Sequence, residues 1–150
     1  MSKLRTTPSN LFTVGKGYAL AMKYIEPAMV AGDKRVALPY SFLAAFSIEL
    51  VLKAAILSQT GDEDELRDLG HDIEKAFDRA VQLGYRIPDP MIGLMVHKLG
   101  TYHRELTFRY LPDIEVVELL EPDFLMSTLS RFIDEIEEQF PVWNGAGADQ

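Results

Sequence analysis

The sequence contains no cysteine, which excludes disulfides and thiolate metal sites. Histidine is scarce as well: three occur, at positions 71, 97 and 103. None of them forms a His-Glu-x-x-His pair, so no metal site is expected. No Gly-x-x-x-x-Gly-Lys-Ser/Thr phosphate loop is present, since Gly15-Lys16-Gly17 is too short and lies in a helical pattern. A Gly-x-Ser-x-Gly nucleophile elbow is also missing. The first ten residues lack the apolar core of a signal peptide. The longest apolar stretch, Ser41–Leu57, is interrupted by Glu49 and Lys53 and is too polar at its centre to span a bilayer. These absences favour a cytoplasmic chain with no membrane segment and no cofactor.

Basic residues are outnumbered. Fifteen Lys and Arg face 23 Asp and Glu, for a net charge of −8. The excess is concentrated between Asp113 and Glu138, where nine carboxylates accompany one base, Arg131. Such a face repels phosphate backbones, so DNA is not an expected partner. It could instead dock a basic protein, which would make the chain a structural or regulatory subunit.

What the sequence has in quantity is apolar bulk. It is 47% hydrophobic, with eight Phe, six Tyr and six Met in 150 residues. That suits a single domain over 1–150 with its core at about 11–140. The Gly- and Ala-rich end, Asn144–Gln150, is expected to be a disordered tail. Helix punctuation divides the core. Asn10 is placed to cap a first helix from Leu11 to Val30, which Pro27 should kink or end. A second helix runs from about Leu38 to Gln59 and stops at Gly61. Asp62–Asp68 reads as a loop or a helical turn. A third helix covers His71–Leu83, and a fourth opens at Asp89-Pro90 and runs to Tyr110. The β-rich Ile114–Leu120 stretch has no second strand to pair with. A last helix spans Pro122 to Phe140. The expected fold is therefore all-α, an up-and-down bundle of four to five helices. Phe42, Leu43, Phe46, Leu50 and Leu57 are its expected core residues on the second helix.

Ser41–Leu57 is the most informative segment. Only Ser41, Ser47, Glu49 and Lys53 are polar in it. A helix apolar on nearly every side must be buried on nearly every side. Glu49 and Lys53, four residues apart, share a face and can pair. A buried charge of this kind needs its partners in place, and Arg109 is a further candidate partner. After this helix come Gly70-His71-Asp72-Ile73 and then Tyr102–Asp113, with Arg109-Tyr110 before Pro112.

In order and spacing, Glu49, Lys53, His71, Asp72, Arg109 and Tyr110 resemble the HEPN domain, a helical bundle named for nucleotide binding in higher eukaryotes and prokaryotes. The likeness covers roughly Leu11–Phe140. It implies a four- to five-helix bundle that forms a homodimer. It further implies either a metal-independent ribonuclease of the toxin–antitoxin or defence type, or a partner of a nucleotidyltransferase-like protein. Ribonuclease members carry Arg-x4–6-His, and no arginine here has a histidine at that distance. Arg67-x3-His71 is one residue short, and Lys98-x4-His103 has lysine in place of arginine. The resemblance thus implies a non-catalytic module that binds a nucleotide or a protein partner. Its polar cluster would be Glu49, Lys53, His71, Arg109 and Tyr110. An alternative is RNA cleavage at a diverged site. In metal-free cleavage a base removes the 2′-hydroxyl proton and a cation stabilises the phosphorane. His103, Arg104 and Lys98 are residues of the right types. Helical geometry places His103 in line with Leu99, Leu106 and Tyr110, which makes a core histidine its simpler role. For His71, the simpler role is a helix start.

Overall fold

The computed structural model describes residues 6–104 and 119–143. Among them are six α-helices and no strand. They are α1 (Pro8–Val30), α2 (Ala37–Thr60), α3 (Glu63–Leu69), α4 (Ile73–Gln82), α5 (Pro90–Arg104) and α6 (Pro122–Gln139). A single 3-10 turn, Lys34–Val36, joins α1 to α2. The all-α bundle expected from the sequence is what forms, with one helix more than expected.

Local chemistry sets most of the helix ends. Thr7, not Asn10, caps α1: its Oγ1 accepts a hydrogen bond from the Asn10 backbone N–H at 3.1 Å, and Pro8 fills the first turn. Pro27 does not end α1, which continues to Val30. The proline lies in the last turn, where little of the hydrogen-bond ladder remains to be lost. Gly61 closes α2 at φ +64°, a left-handed conformation that costs glycine little. The acidic stretch after it is a helix, α3, because the Asp62 side chain accepts from the N–H groups of Asp64 and Glu65. Asp72 caps α4 by accepting from the Lys75 N–H at 3.0 Å. His71 therefore lies before the cap and is free to turn back toward α2. The extension of the fourth helix to Tyr110 and most of Ile114–Leu120 lie outside the described residues, as does the tail at 144–150.

The long helices α1 and α2 pack antiparallel along their length. They come close at Gly15, where the Ser47 hydroxyl donates to the Gly15 carbonyl at 2.7 Å. Helices α4, α5 and α6 cover the other sides of α2. The buried residues of α2 are Tyr40, Ser41, Ala44, Ala45, Ser47, Ile48, Glu49, Val51, Leu52, Ala54, Ala55, Ile56 and Leu57. Phe42, Leu43, Phe46 and Leu50, expected in the core, are only half-buried. Helices that press on α2 from several sides leave room for alanine at the crossings. The bulky Phe42 and Phe46 rings stand instead beside two histidines. By length and composition Lys34–Thr60 could cross a membrane, but 67% of its most apolar window is buried inside the bundle. Its apolarity is accounted for by neighbouring helices.

Candidate functional site

The polar centre of the bundle is built around one carboxylate. Glu49, midway along α2, is 3% exposed. Three elements supply its partners. Lys53, one turn further along α2, donates from Nζ to Glu49 Oε2 at 3.0 Å and to the Gly70 carbonyl at 2.8 Å. His71, from the link between α3 and α4, places Nδ1 2.9 Å from Glu49 Oε1. His103, from the last turn of α5, places Nε2 2.8 Å from the same oxygen. Phe46 flanks both imidazoles and Phe42 flanks His103, giving the cluster an apolar wall.

Electrostatics follow from this arrangement. Burial alone would raise the Glu49 carboxyl. The hydrogen bond to His103, the Lys53 charge and the hydrogen bond to His71 outweigh it and hold the group at about 2. Glu49 is thus a carboxylate at any ordinary pH. As an anion it is acceptor-only, so both imidazole nitrogens facing it carry protons in this network. That fixes the tautomers. A neutral His71 keeps its lone pair on Nε2, and its side chain is 41% exposed. A neutral His103 keeps its lone pair on Nδ1, a buried atom with no hydrogen-bond partner among the described residues.

At the rim, Asp72 follows His71 in the chain and faces Arg104 across a 3.9 Å ion pair, with the arginine 48% exposed. The sequence candidates therefore divide. Glu49, Lys53, His71 and His103 come together. Arg104 stands at the edge of the same region. Lys98 is on another face of α5, half-buried, and His97 pairs with Glu74 on α4. Arg67 points away and pairs with Asp64. Arg109 and Tyr110 lie outside the described residues. His103, at 1% exposure, is a core histidine, and in this conformation it is closed to a substrate. The helix start expected at Gly70-His71-Asp72 is there, with Asp72 as the cap, and His71, just before the cap, hydrogen-bonds Glu49.

Sequence reasoning missed the meeting of His71 and His103 on Glu49. No spacing signals it, because the two histidines lie 22 and 54 positions from the carboxylate. Only the expected burial of Glu49 in an apolar helix hinted that it would find partners beyond Lys53. The same assembly revises the expectation that no metal-ligand set exists. The ligand atoms of Glu49, His71 and His103 all lie within 4.8 Å of one another.

A second surface feature is a groove of about 590 Å³ between α1 and α6. Leu20, Met126, Ile133 and Trp143 line it, with Lys16 and Lys23 alongside. The acidic face of α6 is partly engaged within the fold: Arg131 pairs with Asp89, Tyr85 Oη donates to Glu135, and the Trp143 indole donates to Glu137.

Comparison with family models, with curated proteins and with solved structures found no match for this chain.

Proposed function

We propose that this chain is a non-catalytic, HEPN-like helical module that binds a phosphate-bearing ligand, a nucleotide or RNA, beside His71 and Arg104. One observation carries the reading. A half-exposed histidine is locked in orientation by a buried carboxylate, and an exposed arginine, Arg104, forms a long 3.9 Å pair with Asp72, the residue after His71 in the chain. Arginine is a donor suited to phosphate oxygens, and His71, whose Nδ1 proton is taken by Glu49, donates to them from Nε2 only as the imidazolium. The buried network behind them holds their positions in advance, which lowers the ordering cost of binding. Burial of His103 supports a binding role over a catalytic one. In keeping with the resemblance, the module works as a homodimer, which would bring two such rims into one assembly.

The test is a titration of ATP and of a short single-stranded RNA at low salt, in chelator, with sedimentation at micromolar concentration. Binding weakened by Arg104→Ala and by His71→Ala is the expected result. A wild-type chain that binds neither ligand overturns the reading and leaves the docking of a protein partner. That last role would fall to the free acids of α6, Asp123, Asp134 and Glu138, all exposed.

A second reading has an observation of its own. Glu49, His71 Nδ1 and a solvent-facing Nε2 reproduce the order of a carboxylate-oriented general base. A metal-independent ribonuclease built here would use His71 as base and Arg104 as the stabilising cation, in place of His103 and Lys98. RNA cleavage by wild type that is lost in His71→Ala would establish it. Intact RNA after prolonged incubation with wild type would eliminate it.

A further inference from the structure

We propose that Glu49, His71 and His103 form a binding site for a divalent transition-metal ion, with zinc as the best match to the donor set. Three protein ligands, two imidazoles and one carboxylate, with a fourth position left to water, is a recurring zinc arrangement. Here the three donors come from α2, from the α3–α4 link and from α5, and they converge on one point. Each imidazole nitrogen is within 3 Å of Glu49 Oε1. Tetrahedral ligands about 2.0–2.1 Å from zinc lie about 3.3–3.4 Å apart. To admit the ion, Oε1 would move a few tenths of an ångström from each imidazole nitrogen, and the two nitrogens, within 4.8 Å of each other, would settle at the same tetrahedral spacing.

Proton bookkeeping permits the exchange. In the hydrogen-bonded network His71 carries its proton on Nδ1 and His103 on Nε2. Moving each proton to the other ring nitrogen turns both facing nitrogens into lone-pair ligands, with no net proton released. For His71 the proton moves to Nε2, on a side chain that is 41% exposed. For His103 it moves to buried Nδ1, and this is the main cost of the site. The outer surroundings are already in place. Lys53 occupies Glu49 Oε2 and is itself held by the Gly70 carbonyl, which leaves Oε1 as a single-point ligand. Ligating carboxylates are commonly oriented by such a second hydrogen bond. Phe42 and Phe46 provide the apolar shell. The half-exposed edge at His71 supplies both the entry path and the open coordination position.

The metal site does not depend on the phosphate-binding reading, although His71 serves in both; that titration is run in chelator, so the two fail separately. The test is calorimetric titration of Zn²⁺ into the tag-free, chelator-stripped full chain, repeated with Co²⁺ and followed by visible absorption. The expected result is one ion per chain and the strong visible bands of four-coordinate cobalt. His71→Ala is the main variant, since its side chain is at the edge and its loss leaves the core packing intact. It should weaken zinc binding by at least about tenfold, given that even outer-shell changes cost about 10–100-fold. His97→Ala, on α5 and paired with Glu74 of α4 rather than with Glu49, should leave affinity unchanged. Absence of zinc binding by folded wild type overturns the proposal. So does equal affinity in wild type and His71→Ala, or a loss that follows His97 instead.

Discussion

At the scale of single residues, Glu49 dominates. Its one charge is shared among an ammonium and two imidazoles, and their removal should have graded effects. Lys53 is 14% exposed at its side chain. Lys53→Met leaves the carboxylate with its two histidines, so the cost should fall below the 3–5 kcal/mol of a fully broken buried pair, at about 2–3 kcal/mol. His71→Ala, at the half-exposed edge, should cost about 1 kcal/mol. Urea unfolding of the two variants checks the order, and an unchanged midpoint for Lys53→Met would refute it. The same carboxylate sets an acid limb. A group held at about 2 against an ordinary 4.5 contributes stability that is complete above about pH 4.5 and is lost as pH falls toward 2. The size is about 3 kcal/mol. Lys53, His71 and His103 are the charged and titratable groups that face it. In chelator, the stability of wild type should therefore drop more steeply below pH 4.5 than that of Glu49→Gln, measured by urea midpoints across pH.

At the scale of elements, the α1–α2 pair turns on two glycines that look alike in sequence. A Cβ on Gly15 would sit 2.9 Å from Val51 Cγ2 and 3.3 Å from both the Leu50 Cβ and the Ser47 carbonyl oxygen. Gly15→Ala should force the helices apart and cost about 1–3 kcal/mol. A Cβ on Gly17 meets nothing within 4 Å. Gly17→Ala should raise helix propensity and add about 0.5–1 kcal/mol. Thermal melts of the two variants should move in opposite directions, and a shared direction would contradict the packing. The link between α4 and α5 is fastened to α6 in a comparable way. Arg86 donates from its backbone N–H to Gln139 and accepts from the same side chain, while Tyr85 reaches Glu135. Burial and the nearby Glu135 carboxylate push the Tyr85 hydroxyl well above its ordinary value, so it stays a neutral donor.

At the scale of the whole molecule, α2 is the hub. Every other described helix packs against it, and its central turns from Ser47 to Leu57 are almost wholly buried. Opening those turns requires separating most of the bundle. Hydrogen exchange should accordingly be slowest at Ile48–Leu57, with protection approaching the global unfolding free energy. The short α3 and the 3-10 turn at Lys34–Val36 should exchange far faster. If α3 proved as protected as α2, the hub description would be wrong. The groove between α1 and α6 leaves Leu20 and Trp143 partly exposed at one flank, separate from the histidine cluster.

Local chemistry written in the sequence determined the helices themselves. Apolar residues on nearly every side of Ser41–Leu57 require enclosure by other helices, whatever the topology. Gly61 and the prolines at 90 and 122 mark boundaries through short-range capping and fixed φ, so these element ends were legible to within a few residues. Glu49 and Lys53 were legible as a pair because four residues make one helical turn. Tertiary structure decided the rest. Which side of α2 receives alanine and which receives phenylalanine depends on the angle at which its neighbours cross, and no residue encodes that alone. The role of Asp62–Leu69 as a helix, and the release of His71 from the helix start, came from which aspartate side chain reached a backbone N–H. Above all, the meeting of His71 and His103 on one oxygen of Glu49 depends on three separate elements packing together, a long-range event that leaves no periodic trace in the chain.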